Sequence, residues 1–183
     1  MNRQALVVID IQNDYFPGGK WTLHEMNKAA SNAAQIIRNA RETGVPVVHV
    51  HHEFTSENAP FFVPGTPGAD IHELVAPADG ETVVLKHNVN AFRETDLKSI
   101  LDAKGVENVT VIGAMSHMCI DAAARAAADF GYNVTVVEDA CASRDLEFDG
   151  RTIPAIEVHA AYMSALGFAY ANVTQTEKYL NVS

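Results

Sequence analysis

A cysteine thiolate can attack a carbonyl carbon directly, and this chain has two cysteines with which to do it, Cys119 and Cys141. Cys119 lies in VTVIGAMSHMCIDAAARAAAD, where a β-branched run (residues 109–112) turns at Gly113 into an alanine-rich helix. A thiol at a helix start feels unpaired backbone N–H groups and the positive end of the helix dipole, both of which favour thiolate. Cys119 is therefore a candidate nucleophile. Asp10 ends the run ALVVI and Lys86 ends the run TVVL. A carboxylate within reach could take the thiol proton and return one to a leaving group. A cation beside both would hold the carboxylate and lower the thiol pKa. Taken singly, each residue has an ordinary reading: a buried small hydrophobe for the cysteine, a turn or cap for Asp10, a solvated charge for Lys86. Their common placement at strand ends is what singles them out, and Cys141, without that context, reads as packing.

The elements that must position these groups follow from periodicity. ALVVI (residues 5–9) is an unbroken apolar run, as expected of a strand covered on both faces. Ala29, Ala30, Ala33, Ile36, Ile37 and Ala40 recur at helical spacing over residues 27–42, with Gly44 as the residue past the end. Further strands are expected at 45–51, 82–85, 109–112 and 133–137. Helices are expected at 96–104, from Cys119 onward, and at 155–166, followed by a strand-like FAYANVTQT. Residues 52–80 form a proline- and glycine-rich connection, long enough to be functional. The βαβα rhythm predicts a three-layer α/β/α domain with a mostly parallel sheet of roughly six strands. In such a sheet ligands bind outside the carboxyl ends of the strands, where Asp10, Lys86 and the turn before Cys119 all fall.

Length and composition bound the rest. The chain has 183 residues, 48% hydrophobic and 20% charged, which fits one domain over 1–183. Thirteen Lys and Arg against 23 Asp and Glu give a formal net charge of −10, which disfavours nucleic acid as a partner. The sequence contains no run of roughly 18 apolar residues to cross a bilayer, and its first residues lack the apolar core of a signal peptide, so the expected location is cytoplasmic. Two cysteines make no disulfide framework.

Several motifs in order, VIDIQNDYFPGG, GTPGADIHELVAPADGETVVLKHNVNAF and VIGAMSHMCIDAAARAAADFGYNVTVVEDACAS, resemble the isochorismatase-like cysteine hydrolases, a family that includes isochorismatases, nicotinamidases and N-carbamoylsarcosine amidohydrolases. EVHAAYMSALGFAYANVTQTEKYL is similar to the family's last helix and strand, so the resemblance spans nearly the whole chain. It implies a Rossmann-like sheet and a catalytic triad of Asp10, Lys86 and Cys119. It also implies an oxyanion hole of the Met115 and Cys119 backbone N–H groups, with a cis peptide between Ala114 and Met115. The implied activity is hydrolysis of a small molecule, most simply at an amide or carbamoyl C–N bond through a thioester. Isochorismatase-type vinyl ether hydrolysis and a metal-binding or non-catalytic role are the alternatives. No cofactor is expected, and the family commonly assembles into homo-oligomers such as dimers or tetramers.

The histidines depart from part of that family. Nicotinamidases bind a metal with an Asp-x-His pair after the second strand, and the matching positions here are His52 and Phe54, of which Phe54 cannot ligate. No metal site is expected from His49, His51, His52 and His72, because strand alternation sends the first two and His52 to opposite faces. The resemblance is thus to the metal-independent branch. Gln12, Tyr15, Trp21, His52, Phe92 and His117 are the expected pocket residues. Arg93 is the one arginine close to the three strand-end residues in motif terms, which favours a neutral or cationic amide over an anionic substrate.

Overall fold

The computed structural model describes residues 3–56 and 58–181. Met1 and Asn2 of the opening stretch, Glu57 of the long connection, and Val182 and Ser183 lie outside the described residues. The elements in order are β1 (Gln4–Ile9), α1 (Met26–Thr43), β2 (Val47–His52), β3 (Thr82–Lys86), α2 (Leu97–Ala103), β4 (Asn108–Ala114), α3 (Asp121–Asp129), β5 (Asn133–Ala142), β6 (Leu146–Phe148), β7 (Arg151–Ile153), α4 (Ala155–Ala169), β8 (Asn172–Thr174) and α5 (Thr176–Leu180).

The main sheet has six strands in the order β3-β2-β1-β4-β5-β8, every neighbour parallel. The chain winds outward through β1, β2 and β3, returns to lay β4 against the other side of β1, and winds outward again. Parallel pairing needs crossovers, and helices that carry them cover both faces. That is why ALVVI has no polar alternation. Leu6 and Val8 pack with Ala30, Ala33 and Ile37 of α1 on one face, while Ala5, Val7 and Ile9 pack with Leu97, Ala124 and Leu166 on the other. Fully burying one such aliphatic side chain is worth about 1.5–3 kcal/mol. Helix α1 closes as its spacing predicts, on Gly44 at φ +71°, whose N–H reaches back to the Ala40 and Arg41 carbonyls.

Four features differ from the sequence expectations. Strand β5 runs to Ala142 rather than stopping at residue 137, because the β4–β5 register shifts between Val111 and Gly113 and pairing then resumes, Gly113 opposite Cys141 and Ala114 opposite Ala142. Helix α4 continues to Ala169 and takes the first two residues of FAYANVTQT, the strand β8 is only three residues long, and the short helix α5 follows. A small antiparallel hairpin, β6–β7, turns at Asp149 and Gly150, both at positive φ. Finally, Cys119 is not at the first turn of an α-helix: residues Ser116–Ile120 form a π-helical turn ahead of α3.

Candidate active site

Asp10 follows β1 in the left-handed region, φ +52°, a conformation that aspartate tolerates better than most residues. Its amide still donates to Val50 of β2, at 2.9 Å, so the sheet fixes the turn. Lys86 is the last residue of β3, paired with His52 of β2. Both side chains are wholly buried, and Lys86 Nζ lies 2.7 Å from Asp10 Oδ2. The same ammonium is 3.3 Å from Cys119 Sγ, 2.9 Å from His52 Nδ1 and 3.2 Å from the Asn88 carbonyl oxygen. Three strand-end residues, 76 and 33 positions apart in sequence, thus share one dry cluster beside the place where the chain reverses its winding.

Burial dominates the electrostatics. It raises the Asp10 carboxyl, partly opposed by Lys86. Burial alone would lower Lys86, but Asp10 and Cys119 outweigh it and its pKa is raised. The Cys119 thiol goes up, by burial first and Asp10 second, with Lys86 pulling the other way. The expectation of a thiol acidified by a helix start is therefore corrected: desolvation and a neighbouring carboxylate outweigh the cation, and the resting cysteine is a neutral thiol against an Asp10–Lys86 ion pair. Ionisation has to be coupled to proton transfer onto Asp10.

The turn carrying Cys119 is unusual. The Ala114–Met115 peptide is cis. The Met115 carbonyl accepts from the amides of both Met118 and Ile120, at 3.0 and 3.2 Å. Just upstream, Gly113 (φ +126°) could not be any other residue, since a Cβ there would sit 1.9 Å from the Ile9 carbonyl oxygen.

Beside the thiol is a cavity of about 240 Å³ that includes Asp10, Cys119, Met115 and Met118, with walls from Tyr15, His52, Phe54, Phe61, Phe62 and Val89. Tyr15 and His52 of the expected pocket set border it. The other four do not, each for a visible reason. Gln12 is fully buried and clamps the backbone, accepting from His52 N–H and donating to the His52 and Ala69 carbonyls at 2.7–2.8 Å. Trp21 backs the wall from behind, stacked on Phe61 and capped by the Arg144 guanidinium at 4.1 Å. Phe92 packs against Phe130 and Tyr132 in the opposite core. His117 turns away to Ser143 Oγ, 2.8 Å from its Nδ1. Arg93 is exposed and lies 3.6 Å from Glu94.

The aromatic wall was not legible from periodicity, because Phe54, Phe61 and Phe62 sit in the long connection. Asp14 organises it: its carboxylate accepts from the Phe62 and Lys20 amides, and Gly68 approaches so closely that a Cβ would fall 2.3 Å from the Asp14 Oδ1. The histidines are dispersed to separate partners. His49 Nε2 is 2.9 Å from Glu81, His72 stacks on Phe16, and His52 is held by Lys86. Burial, then Lys86, lowers the His52 pKa to about 3. With Nδ1 accepting from the ammonium, the ring is neutral and its proton is on Nε2.

A doubly wound, wholly parallel six-stranded sheet gathers an aspartate, a lysine and a cysteine at its carboxyl edge, a Rossmann-like α/β/α protein with a buried thiol at its centre. The family model for the isochorismatase domain matches residues 4–165, and the chain belongs to that family. It is 51% identical over 176 residues to an uncharacterized isochorismatase family protein of Bacillus subtilis, covering 96% of this chain and 98% of that protein. It is 31% identical over 156 residues to maleamate amidohydrolase of Pseudomonas putida, covering 78% and 73%. Its fold matches the crystal structure of an isochorismatase hydrolase from Oleispira antarctica with a TM-score of 0.94 at 53% identity, covering 97% and 96% of the two chains.

Proposed function

We propose that this family hydrolase cleaves a C–N bond in a small, neutral amide or carbamoyl compound, using Cys119 as nucleophile, Asp10 as general acid–base and Lys86 as the cation that holds both. The observation that carries the proposal is the buried Lys86 ammonium standing at once 2.7 Å from the Asp10 carboxylate and 3.3 Å from the Cys119 sulfur. A surface or packing cysteine has no need of such company, and burying an ion pair is expensive unless something else is gained.

The chemistry follows from the proton positions. As the thiol proton moves to Asp10, the sulfur attacks the carbonyl carbon, and the π electrons move to oxygen. The Met115 and Cys119 backbone N–H groups receive that oxyanion. When the carbonyl re-forms, the C–N bond breaks and Asp10 returns the proton to the departing nitrogen, leaving a thioester. Water, deprotonated by Asp10, then attacks the thioester, and the thiol takes back its proton as the acid leaves. Lys86 keeps Asp10 anionic between these transfers. No step in this scheme calls for a metal ion.

The walls support the substrate class. Among the described residues they are mostly apolar and aromatic, with His52, His87 and Asn88 as polar members and no arginine, around a small cavity of about 240 Å³. An anionic dicarboxylate would lose its hydration there without gaining a guanidinium to pair with. A relative that acts on an amide, maleamate amidohydrolase, supports the C–N part of the reading alone, since maleamate carries a carboxylate. The test is a substrate screen over simple amides, nicotinamide, N-carbamoyl compounds and isochorismate. Turnover should vanish in Cys119→Ala and Cys119→Ser and be unchanged by chelators. Turnover retained by Cys119→Ala would sink the nucleophile assignment, and loss with a chelator would replace the proposal with a metal-dependent one.

A further inference from the structure

Behind the turn that carries the nucleophile, a second set of polar side chains runs in line. Ser116 Oγ, fully buried, lies 2.8 Å from His159 Nδ1 on α4 and 3.1 Å from the Ala142 carbonyl oxygen at the end of β5. His159 Nε2 lies 3.2 Å from Glu138 Oε2, and Gln175 donates to the other Glu138 oxygen at 3.0 Å. The order Ser–His–Glu has the form of a catalytic triad, yet Ser116 borders neither the cavity at Cys119 nor the larger one on the His159 side, so its hydroxyl has no substrate to meet. Its position in the chain gives it another use. Ser116 directly follows Met115 and stands three residues before Cys119, inside the π turn.

We infer that Glu138, His159 and Ser116 form a positioning relay for that turn, in which one proton on His159 decides whether Ser116 is tied to both β5 and α4 or to α4 alone. The inference rests on the hydrolase reading only where it speaks of turnover. The proton count runs through the hydroxyl, which has a single hydrogen and two acceptors in range. When His159 is an imidazolium it donates from both nitrogens, to Glu138 and to Ser116, and Ser116 gives its hydrogen to Ala142. When His159 is neutral, its one proton faces the Glu138 carboxylate, Nδ1 becomes an acceptor, and the hydroxyl swings from Ala142 to it. The remaining tautomer would set a ring lone pair against a carboxylate. A change of one proton 2.8 Å away therefore releases or fastens the link between the turn and β5, next to the amides assigned to the oxyanion. A misplacement of about 1 Å at such donors is worth roughly a hundredfold in rate.

Besides Glu138, the titratable groups lining the cavity beside His159 are Asp139 and Cys141 of β5, His24, Glu25 and Lys28 around the start of α1, and Glu177 of α5, while Asp145 accepts from the Ala155 amide at the start of α4. His117, next along the turn, is held to Ser143 and kept neutral by burial and by Arg144.

The experiment is a pH titration of the full chain by NMR, following the ring signals of His159 and His117 and the backbone amides of Met115 and Cys119 across about pH 5 to 8. The amides should titrate with the His159 midpoint. In Ser116→Ala the His159 ring should still titrate while the amides stop following it, and kcat should fall at least roughly tenfold with little change in KM. In Glu138→Gln, on the half-exposed end of the relay, the His159 and amide midpoints should move together. The inference is overturned if the amides stay flat, follow His117 instead, or follow His159 undiminished in Ser116→Ala. These shifts need no substrate, so a failure of the hydrolase reading, seen in Cys119→Ala turnover, is separate from a failure of the relay.

Discussion

At the scale of single residues, the resting protonation state of the thiol is decided by a contest between two neighbours of opposite charge. Asp10 raises the Cys119 pKa and Lys86 lowers it, on top of a burial effect larger than either. Removing the carboxylate should therefore ionise the thiol more easily while removing the base. Asp10→Asn is expected to lose nearly all turnover, yet to be alkylated by iodoacetamide at a lower pH than the parent. An alkylation profile moved to higher pH would contradict this electrostatic account. Sequence alone shows that three useful groups converge at strand ends. It does not show that the cluster is buried, because Lys86 is enclosed by Asp10, His52, Asn88 and Cys119, partners distant in sequence that only the sheet brings together. For the same reason Gln12 and His117 read equally well as pocket or as scaffold from sequence. Their hydrogen bonds to His52, Ala69 and Ser143 make them scaffold.

At the scale of elements, the long connection before β3 is fastened to the sheet by Glu81. Its carboxylate takes two hydrogen bonds from Arg41 of α1, at 2.8 Å each, one from the Ala78 amide, and one from buried His49 of β2. The Arg41 bonds, chief among these, hold the Glu81 pKa down to about 2. A folded-state pKa below the ordinary value of 4.5 means that this clamp stabilises the fold fully above that value and is lost as the pH falls toward 2. Glu81→Gln should be less stable than the parent by about 1.5–3 kcal/mol at neutral pH. The gap, followed by thermal melts, should close between about pH 4.5 and pH 2. A gap that persists at pH 2 would assign the loss to shape rather than charge. Elements with long apolar runs or helical spacing, β1 and α1 above all, were legible to within a residue or two. The hairpin β6–β7 was missed although Asp149-Gly150 is a turn dipeptide, because its strands are three residues long and carry no alternation. Strand β5 looked short because its second half pairs only after the register shift opposite Gly113, a tertiary event with no local signature.

At the scale of the whole molecule, the two oppositely wound halves of the sheet meet where β1 lies beside β4, and the closest approach there is Gly113 against the Ile9 carbonyl. Gly113→Ala would force a Cβ into backbone at a φ that L residues rarely adopt. We expect a loss of at least about 3 kcal/mol, or roughly 6–12 °C in Tm for a chain of this size, with activity falling further than stability because the displaced strand ends hold Asp10 and Cys119. A melt within a degree or two of the parent would show that the strands separate there at little cost. The same topology sets an order of events that no single contact reveals. A ribosome delivers Asp10 first and Lys86 next, so the ion pair's two members are in hand while Cys119 is still untranslated. Cys119 comes last of the three, and the strand and helix that cover it, β5 and α4, come later still. For the interval between, a nascent chain carries a thiol with its partners already made but its shelter not yet built.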